Sequence, residues 1–187
     1  MLYIDRTFTA AEPPEAGGEY EGCTFKGCRL SGADLTGAVF SDCTFKDCDL
    51  SLAKLTATCL REVRLEGCKM LGLRFEHCNP IGFEIALTDC VADNCTFFRV
   101  KMPRAALRAS RLRECDFTEC DLSGAVIEGC DLTGALFQHA VLEKADLRGS
   151  GGYIIDPVAN RVRRMRVSLS GAPGLLMALG VEVDPVG

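Results

Sequence analysis

Large apolar residues recur along this chain at every fifth position, a spacing that fits neither the 3.6-residue period of a helix nor the two-residue alternation of a flat strand. From Tyr20 the series runs through Phe25, Leu30, Leu35, Phe40, Phe45, Leu50, Leu55, Leu60, Leu65, Met70 and Phe75 to Pro80. Two residues then intervene near Phe83-Glu84. The series resumes at Leu87 and continues through Ala92, Phe97, Met102, Leu107, Leu112, Phe117, Leu122, Ile127, Leu132, Phe137 and Leu142 to Leu147. Of these 26 centres only Pro80 and Ala92 are not large and apolar. The residue two before each centre is Cys eleven times, Ala eight times, and Gly, Thr or Ser three times. Val63, Leu73, Ile85 and Val100 are the exceptions.

One large and one small residue per five therefore point inward, and three point out. A chain that turns every five residues satisfies this. Four such sides close into a square coil of roughly 20 residues, and coils stack at about the 4.7–4.9 Å spacing of strands. Corner sequences such as Ser31-Gly32, Thr36-Gly37, Ser123-Gly124 and Thr133-Gly134 suit tight turns. Each coil can bury its apolar side only against its neighbours, as in solenoids.

The pattern divides the chain into three parts. Residues 1–17, with the turn-rich Pro13-Pro14-Glu15-Ala16-Gly17-Gly18, form a lead-in over the first coil. Residues 18–149 form the repeat, with a register break near 80–86, where Pro80 takes a core slot and Leu71, Leu73 and Phe98 are large in unusual positions. Residues 150–187 form a capping module: a strand over Met165–Leu169, then a short helix capped by Ser170, with Pro173 in its first turn and Gly180 at its end. Leu175, Leu176, Met177, Leu179 and Val181 are too many apolar residues for so short a helix. They are expected to cover the open coil end and a second subunit.

Composition narrows the function classes. The 187 residues carry 21 basic and 26 acidic groups, for a net charge of −5. That excludes a generic nucleic-acid binder, which would be strongly basic. No apolar run reaches membrane-spanning length, and the first residues lack a signal-peptide design, so a cytoplasmic location is expected. The twelve cysteines invite a metal or redox reading, but no Cys-x-x-Cys occurs and eleven of them share a slot with alanine. They are read as small hydrophobes with buried, inert thiols, which calls for no metal and no cofactor. His77 and His139, the two histidines, fall in corner slots far apart, and no nucleophile elbow or phosphate loop is present. No enzyme is expected.

Residues 20 apart should stack, which sorts the surface charges. Arg29, Asp49 and Lys69 alternate in one column, as do Arg108, Glu128 and Arg148. Asp34 meets Lys54, Lys46 meets Glu66, and Arg111 meets Asp131. These read as cross-coil ion pairs that help set register. Asp42 on Glu62 is like on like, and six acids from Glu114 to Asp131 follow a basic run at 99–113.

The motifs Ala33-Asp34-Leu35-Thr36-Gly37 and Cys130-Asp131-Leu132-Thr133-Gly134 resemble the pentapeptide-repeat family. The resemblance covers residues 18 to 149 and implies an all-β fold, a right-handed quadrilateral β-helix with a short C-terminal strand and helix. Three segments, Cys48–Ala53, Val63–Gly72 and the tail from Ile155-Asp156-Pro157 to Val181, resemble the topoisomerase-protecting branch of albicidin-resistance, microcin-immunity and Qnr-type proteins. That branch implies a rod-shaped homodimer joined at its C-termini. It also implies an acidic, DNA-like surface that engages DNA gyrase or topoisomerase IV and shields it from inhibitors, without touching nucleic acid itself. Candidate partner contacts are Asp42, Glu62, Glu114, Asp116, Glu119 and Asp121, and the dimer contacts are the five tail residues named above. The alternative is a structural scaffold or interaction module with another partner.

Overall fold

Successive coils hydrogen-bond as parallel neighbours, so each interior side chain lies over its counterpart in the coil before. The computed structural model of the chain describes residues 1–10 and 12–184. Its strands are short: β1 (Leu2–Ile4), β2 (Thr7–Phe8), β3 (Glu19–Glu21), β4 (Thr24–Lys26), β5 (Val39–Ser41), β6 (Thr44–Lys46), β7 (Cys59–Arg61), β8 (Val63–Glu66), β9 (Ile85–Thr88), β10 (Ala106–Arg108) and β11 (Val126–Glu128). β1, β3, β5 and β7 begin one wall; β2, β4, β6, β8, β9, β10 and β11 form the next, and every pairing is parallel. Two further walls are held by single bridges, such as Arg29 to Asp49 to Lys69 and Thr96 to Asp116 to Leu136. This is the four-walled β-helix expected from the five-residue period.

The centres form the core. Tyr20, Phe25, Phe40, Phe45, Phe97 and Phe117 are almost wholly buried. Aromatic rings stack along the rod wherever one follows another at coil spacing: Phe25 on Phe45 at 4.5 Å, Phe75 on Phe97 at 4.6 Å, and Phe97 on Phe117 at 5.0 Å. The small slot does more than leave room. Its side chain donates to a carbonyl of the preceding coil: Cys43 to Tyr20 at 3.4 Å, Cys90 to Leu65 at 3.2 Å and Cys115 to Ala92 at 3.0 Å. Thr58 and Ser150 in the same slot do so at 2.8 Å each. A thiol is thus a small hydrophobe that also makes a weak cross-coil bond. Cys59, outside the slot, is also buried, beside Cys78.

Corners impose a backbone cost. The residue two after a centre takes positive φ even where it is not glycine, as at Asp42 (49°), Leu52 (58°), Glu114 (54°) and Arg164 (59°), with His77, in a 3-10 turn, as an exception. Each such residue costs on the order of 1 kcal/mol or more, and the ladder on both sides holds it in place.

The ladder extends past both boundaries read from the sequence. Tyr3 pairs with Tyr20 and Phe8 stacks on Phe25, so the lead-in supplies two sides of a first coil, with a step of 17 residues instead of 20. At the other end Arg161 bridges Val141 and Arg166 bridges Asp146. The segment 165–169, expected as a strand, is joined to the ladder only by that single bridge, and no strand forms there. Ser170 does not cap the helix. It lies in a 3-10 turn over Leu169–Gly171, and α1 (Pro173–Met177) starts after Ala172 without a side-chain cap. Gly180, at φ 76°, ends the helical segment as expected. Tyr153 closes the rod end beneath this module, its hydroxyl buried without a hydrogen-bond partner.

The register break falls within 80–86 as expected, but the core slot there belongs to another residue. Pro80 is exposed and fills no core slot. Pro80, Ile81 and Gly82 bulge outward, and Phe83 enters the interior in place of Pro80, 6.2 Å from Phe75. From there the ladder step is 22 residues, Val63 to Ile85 and Lys69 to Val91, and then returns to 20. The sequence placed a core residue at Pro80 because its period was counted through a loop. Phe83→Ala should therefore destabilise the protein by about 3 kcal/mol, whereas Pro80→Ala should change stability by no more than about 0.5 kcal/mol. Urea unfolding of the two variants checks the assignment.

Candidate interaction surface

Three slots per pentad face outward, and on the four walls they carry nearly all the charge. The expected columns form in part. Lys46 reaches Glu66 at 3.2 Å, Lys69 reaches Asp49 at 3.9 Å and Arg108 reaches Glu128 at 2.9 Å. Other partners differ from those expected. Arg111 turns to Asp93 (2.7 Å), leaving Asp131 to Arg113 (2.6 Å), and Arg148 takes Asp146 on its own wall (2.7 Å) rather than Glu128. Asp34 accepts a hydrogen bond from the Thr36 backbone N–H (3.0 Å) and forms no ion pair with Lys54 among the described residues. A carboxylate one residue before a centre lies within reach of the N–H two residues on, so this local bond competes with the cross-coil cation.

The six acids named as partner contacts do not meet in one patch. Asp42 and Glu62 stack on the corner between the first wall (β1, β3, β5, β7) and the second. Glu114, Asp116, Glu119 and Asp121 lie on one later coil, around the fourth wall and the start of the first. Asp42 is paired with Arg64 at 3.0 Å. Glu119 is clasped by Arg99 through bonds of 2.7 and 3.0 Å, which hold its carboxyl below the usual range. Asp116 and Asp121 accept backbone N–H bonds from Thr118 and Ser123 (2.8 and 2.9 Å). Glu62 and Glu114 are without an ion-pair partner among the described residues.

Sequence reasoning missed a different group. Asp5, Glu19, Glu21, Glu62 and Glu84 are all exposed on the first wall or its trailing corner, and none has an ion-pair partner among the described residues. The signal for Asp5 lay in the lead-in, where the 17-residue step hides its place on the wall beside Glu19 and Glu21. The loop at 80–82 also opens two grooves on this wall. One, of about 360 Å³, is lined by Glu62, Arg64, Phe83, Glu84 and Arg104. The other, of about 350 Å³, is lined by Pro80, Ile81, Phe98, Arg99 and Lys101. Arg99 lies over the Phe98 ring at 4.8 Å.

At the C-terminal end, Leu175 packs against the core while Leu176, Met177, Leu179 and Val181 are exposed. A third groove, of about 470 Å³, runs beside them, lined by Leu136, His139, Ile154, Asp156 and Ala178. His139 and His77 are both exposed, on separate coils.

The thiols are all free and buried. Burial pushes Cys43 up to about 11 and Cys78 up to about 12. In the column Cys28, Cys48, Cys68 and Cys90, bonds between neighbouring thiols favour a thiolate at Cys48 and Cys90 and oppose one at Cys68. Desolvation opposes ionisation at all four, and at Cys48 and Cys90 the bonds from neighbouring thiols outweigh it. Among the described residues no group of three or more His, Cys, Asp or Glu is placed to hold a metal ion, and no helix is long and apolar enough to cross a membrane.

Comparison with known proteins places this geometry. A family model described as a pentapeptide repeat region matches residues 19–86, and one described as pentapeptide repeats (8 copies) matches residues 115–150. Two trypsin-treated forms of QnrB1, a plasmid-mediated fluoroquinolone resistance protein, are similar in fold. They are 19% and 20% identical, with TM-scores of 0.62 and 0.63 and 98% of each chain covered. HetL, a pentapeptide repeat protein involved in heterocyst differentiation regulation in the cyanobacterium Nostoc, is 19% identical at a TM-score of 0.65. That match covers 97% of this chain and 89% of HetL. No curated protein matches at a significant level.

The raised thiols make stability depend on alkaline pH. Unfolded cysteines ionise near about 8.5. Above that, the unfolded chain sheds protons that the folded chain keeps. The stabilisation is complete below about pH 8.5 and is lost as pH rises through the folded values, by roughly 1.4 kcal/mol per pH unit for Cys78 alone. The urea midpoint should fall steadily between pH 9 and pH 11. A flat profile would mean that these thiols reach solvent in the native state.

Proposed function

The chain belongs to the pentapeptide-repeat family, and from that premise we propose that it is a cytoplasmic, non-enzymatic protein that protects DNA gyrase or topoisomerase IV from inhibitors by occupying the site of their DNA. The observation that carries the reading is the anionic strip of Asp5, Glu19, Glu21, Glu62 and Glu84 on a rigid ladder. Rungs at roughly 4.8 Å set carboxylates along the rod at wider intervals than the about 3.4 Å per-strand charge spacing of B-DNA, with one rung left out where Asp42 is paired with Arg64. A fixed row of charge needs no reordering on binding, so it can engage a basic groove at little entropic cost. QnrB1, similar in fold over the whole chain, is described as a fluoroquinolone resistance protein, which supports this choice of partner. The exposed Leu176, Met177, Leu179 and Val181 support a homodimer joined at the C-terminal ends.

A second reading, a scaffold for another partner, is favoured by the ion pairs. Asp42, Asp93, Glu119, Asp131 and Asp146 are each neutralised by an arginine, so over much of the rod the net field is weak.

Supercoiling by gyrase, with and without a fluoroquinolone and with this protein titrated in, separates the two. The first reading expects protection that fades as salt rises. It also expects the combined variant Glu19→Lys, Glu21→Lys, Glu62→Lys to lose protection, while Glu114→Lys, Asp116→Lys, Glu119→Lys loses less. Supercoiling and drug sensitivity that do not respond to the protein would leave the scaffold reading.

A further inference from the structure

The corner between the first and second walls changes sign halfway along the rod. Its residues, all at positive φ in the same slot, read Asp5, Gly22, Asp42 and Glu62 before the loop, and Arg104, Gly124, Lys144 and Arg164 after it. The first wall beside it follows suit in part. Glu19 and Glu21 lie toward the start, and Lys101 and Arg163 toward the end, all exposed, against Arg61 in the first half and Asp121 and Glu143 in the second. Arg104, Lys144, Arg163, Arg164 and Lys101 have no ion-pair partner among the described residues, although most arginines elsewhere on the rod do.

The rungs of this wall are symmetric about the loop. Tyr3, Tyr20, Phe40 and Leu60 precede Phe83, and Met102, Leu122, Leu142 and Val162 follow it. A two-fold axis lying across the wall at the Phe83 rung would therefore set two rods antiparallel with opposite charges facing. Glu62 would meet Arg104 of a second copy and Asp5 would meet Arg164, while Lys144 would lie at Gly22, beside Glu21 and Glu143, which face each other with Glu143 already paired with Arg161. Asp42 meets Gly124, so its bond to Arg64 is left intact. Ile81, 71% exposed on the loop, would lie near the axis against its own copy. Arg61 opposite Pro103 and Lys101 is unfavourable, and Asp121 one rung away offsets it. Glu84 meets its own copy at the axis, flanked by Arg104.

We propose that the first wall is a self-recognition surface on which two copies of this chain dock antiparallel, held by this sign-changed corner. The contact is isologous, so it closes on itself. It is also built of exposed ion pairs, so it is sensitive to salt. It covers the same acids that the topoisomerase reading uses, yet does not depend on that reading.

The test uses sedimentation velocity on full-length Met177→Asp, Leu179→Asp protein, which removes any contact through the tail. We expect a dimer at about 50 mM NaCl and a monomer at about 500 mM. Glu62→Arg alone and Arg104→Glu alone should each sediment as monomers, and the two together should restore the dimer. Ile81→Cys should be joined into a dimer by a bis-maleimide at low salt only. A monomer at low salt, or a combined variant that stays monomeric, would overturn the proposal. Circular dichroism confirms that each variant keeps its fold. Loss of topoisomerase protection alone would leave the proposal standing, since sedimentation reads self-association directly.

Discussion

Everything in this molecule follows from stacking at strand spacing. Once coils lie about 4.8 Å apart, each interior side chain must tolerate a copy of its own kind directly above and below. Bulky centres meet this by stacking flat, as Phe75, Phe97, Phe117 and Phe137 do. The slot two residues earlier meets it by being small and by handing a hydrogen bond down one coil. Cysteine, serine and threonine can all do this, alanine can only fill the space, and Asn160 does it with an amide, 2.9 Å from the Phe137 carbonyl. The same constraint acts outside, where corner residues repeat one conformation and so form straight columns of charge.

The interior was legible in the sequence because it is a one-dimensional code. A period of five with one large and one small apolar residue allows few backbone solutions, and the coil reading follows without knowledge of any relative. Legibility failed where the period was interrupted. Pro80 falls on the count but Phe83 is the residue that fits the interior, because a two-residue bulge costs little in loop entropy. In the lead-in the step of 17 hid Tyr3 and Phe8, whose rings nonetheless stack with the rest of the core.

The surface was less legible, for a physical reason. Stacking at 20 residues says which charges are near, but a long arginine chooses among several carboxylates within a few ångströms. Arg111 preferred Asp93 to Asp131, and Arg148 preferred its own neighbour Asp146. Local bonds from Thr118 and Ser123 take up Asp116 and Asp121 before any partner does. Glu19, Glu21 and Glu62 remain free because their coil neighbours carry no cation, and that is a property of columns rather than of runs along the chain. The polarity of the corner from Asp5 to Arg164 became visible only once the coils were superposed.

The central claim is that the thiols lie inside a stacked ladder rather than at a reactive or metal-binding site. Titration of the native protein with a thiol-specific chromogenic disulfide at neutral pH tests it most directly. The stacked-coil account predicts no fast reaction in the folded state and reaction of all twelve cysteines once denaturant is added. Rapid labelling of several native cysteines would place them on a solvent-facing surface and contradict it.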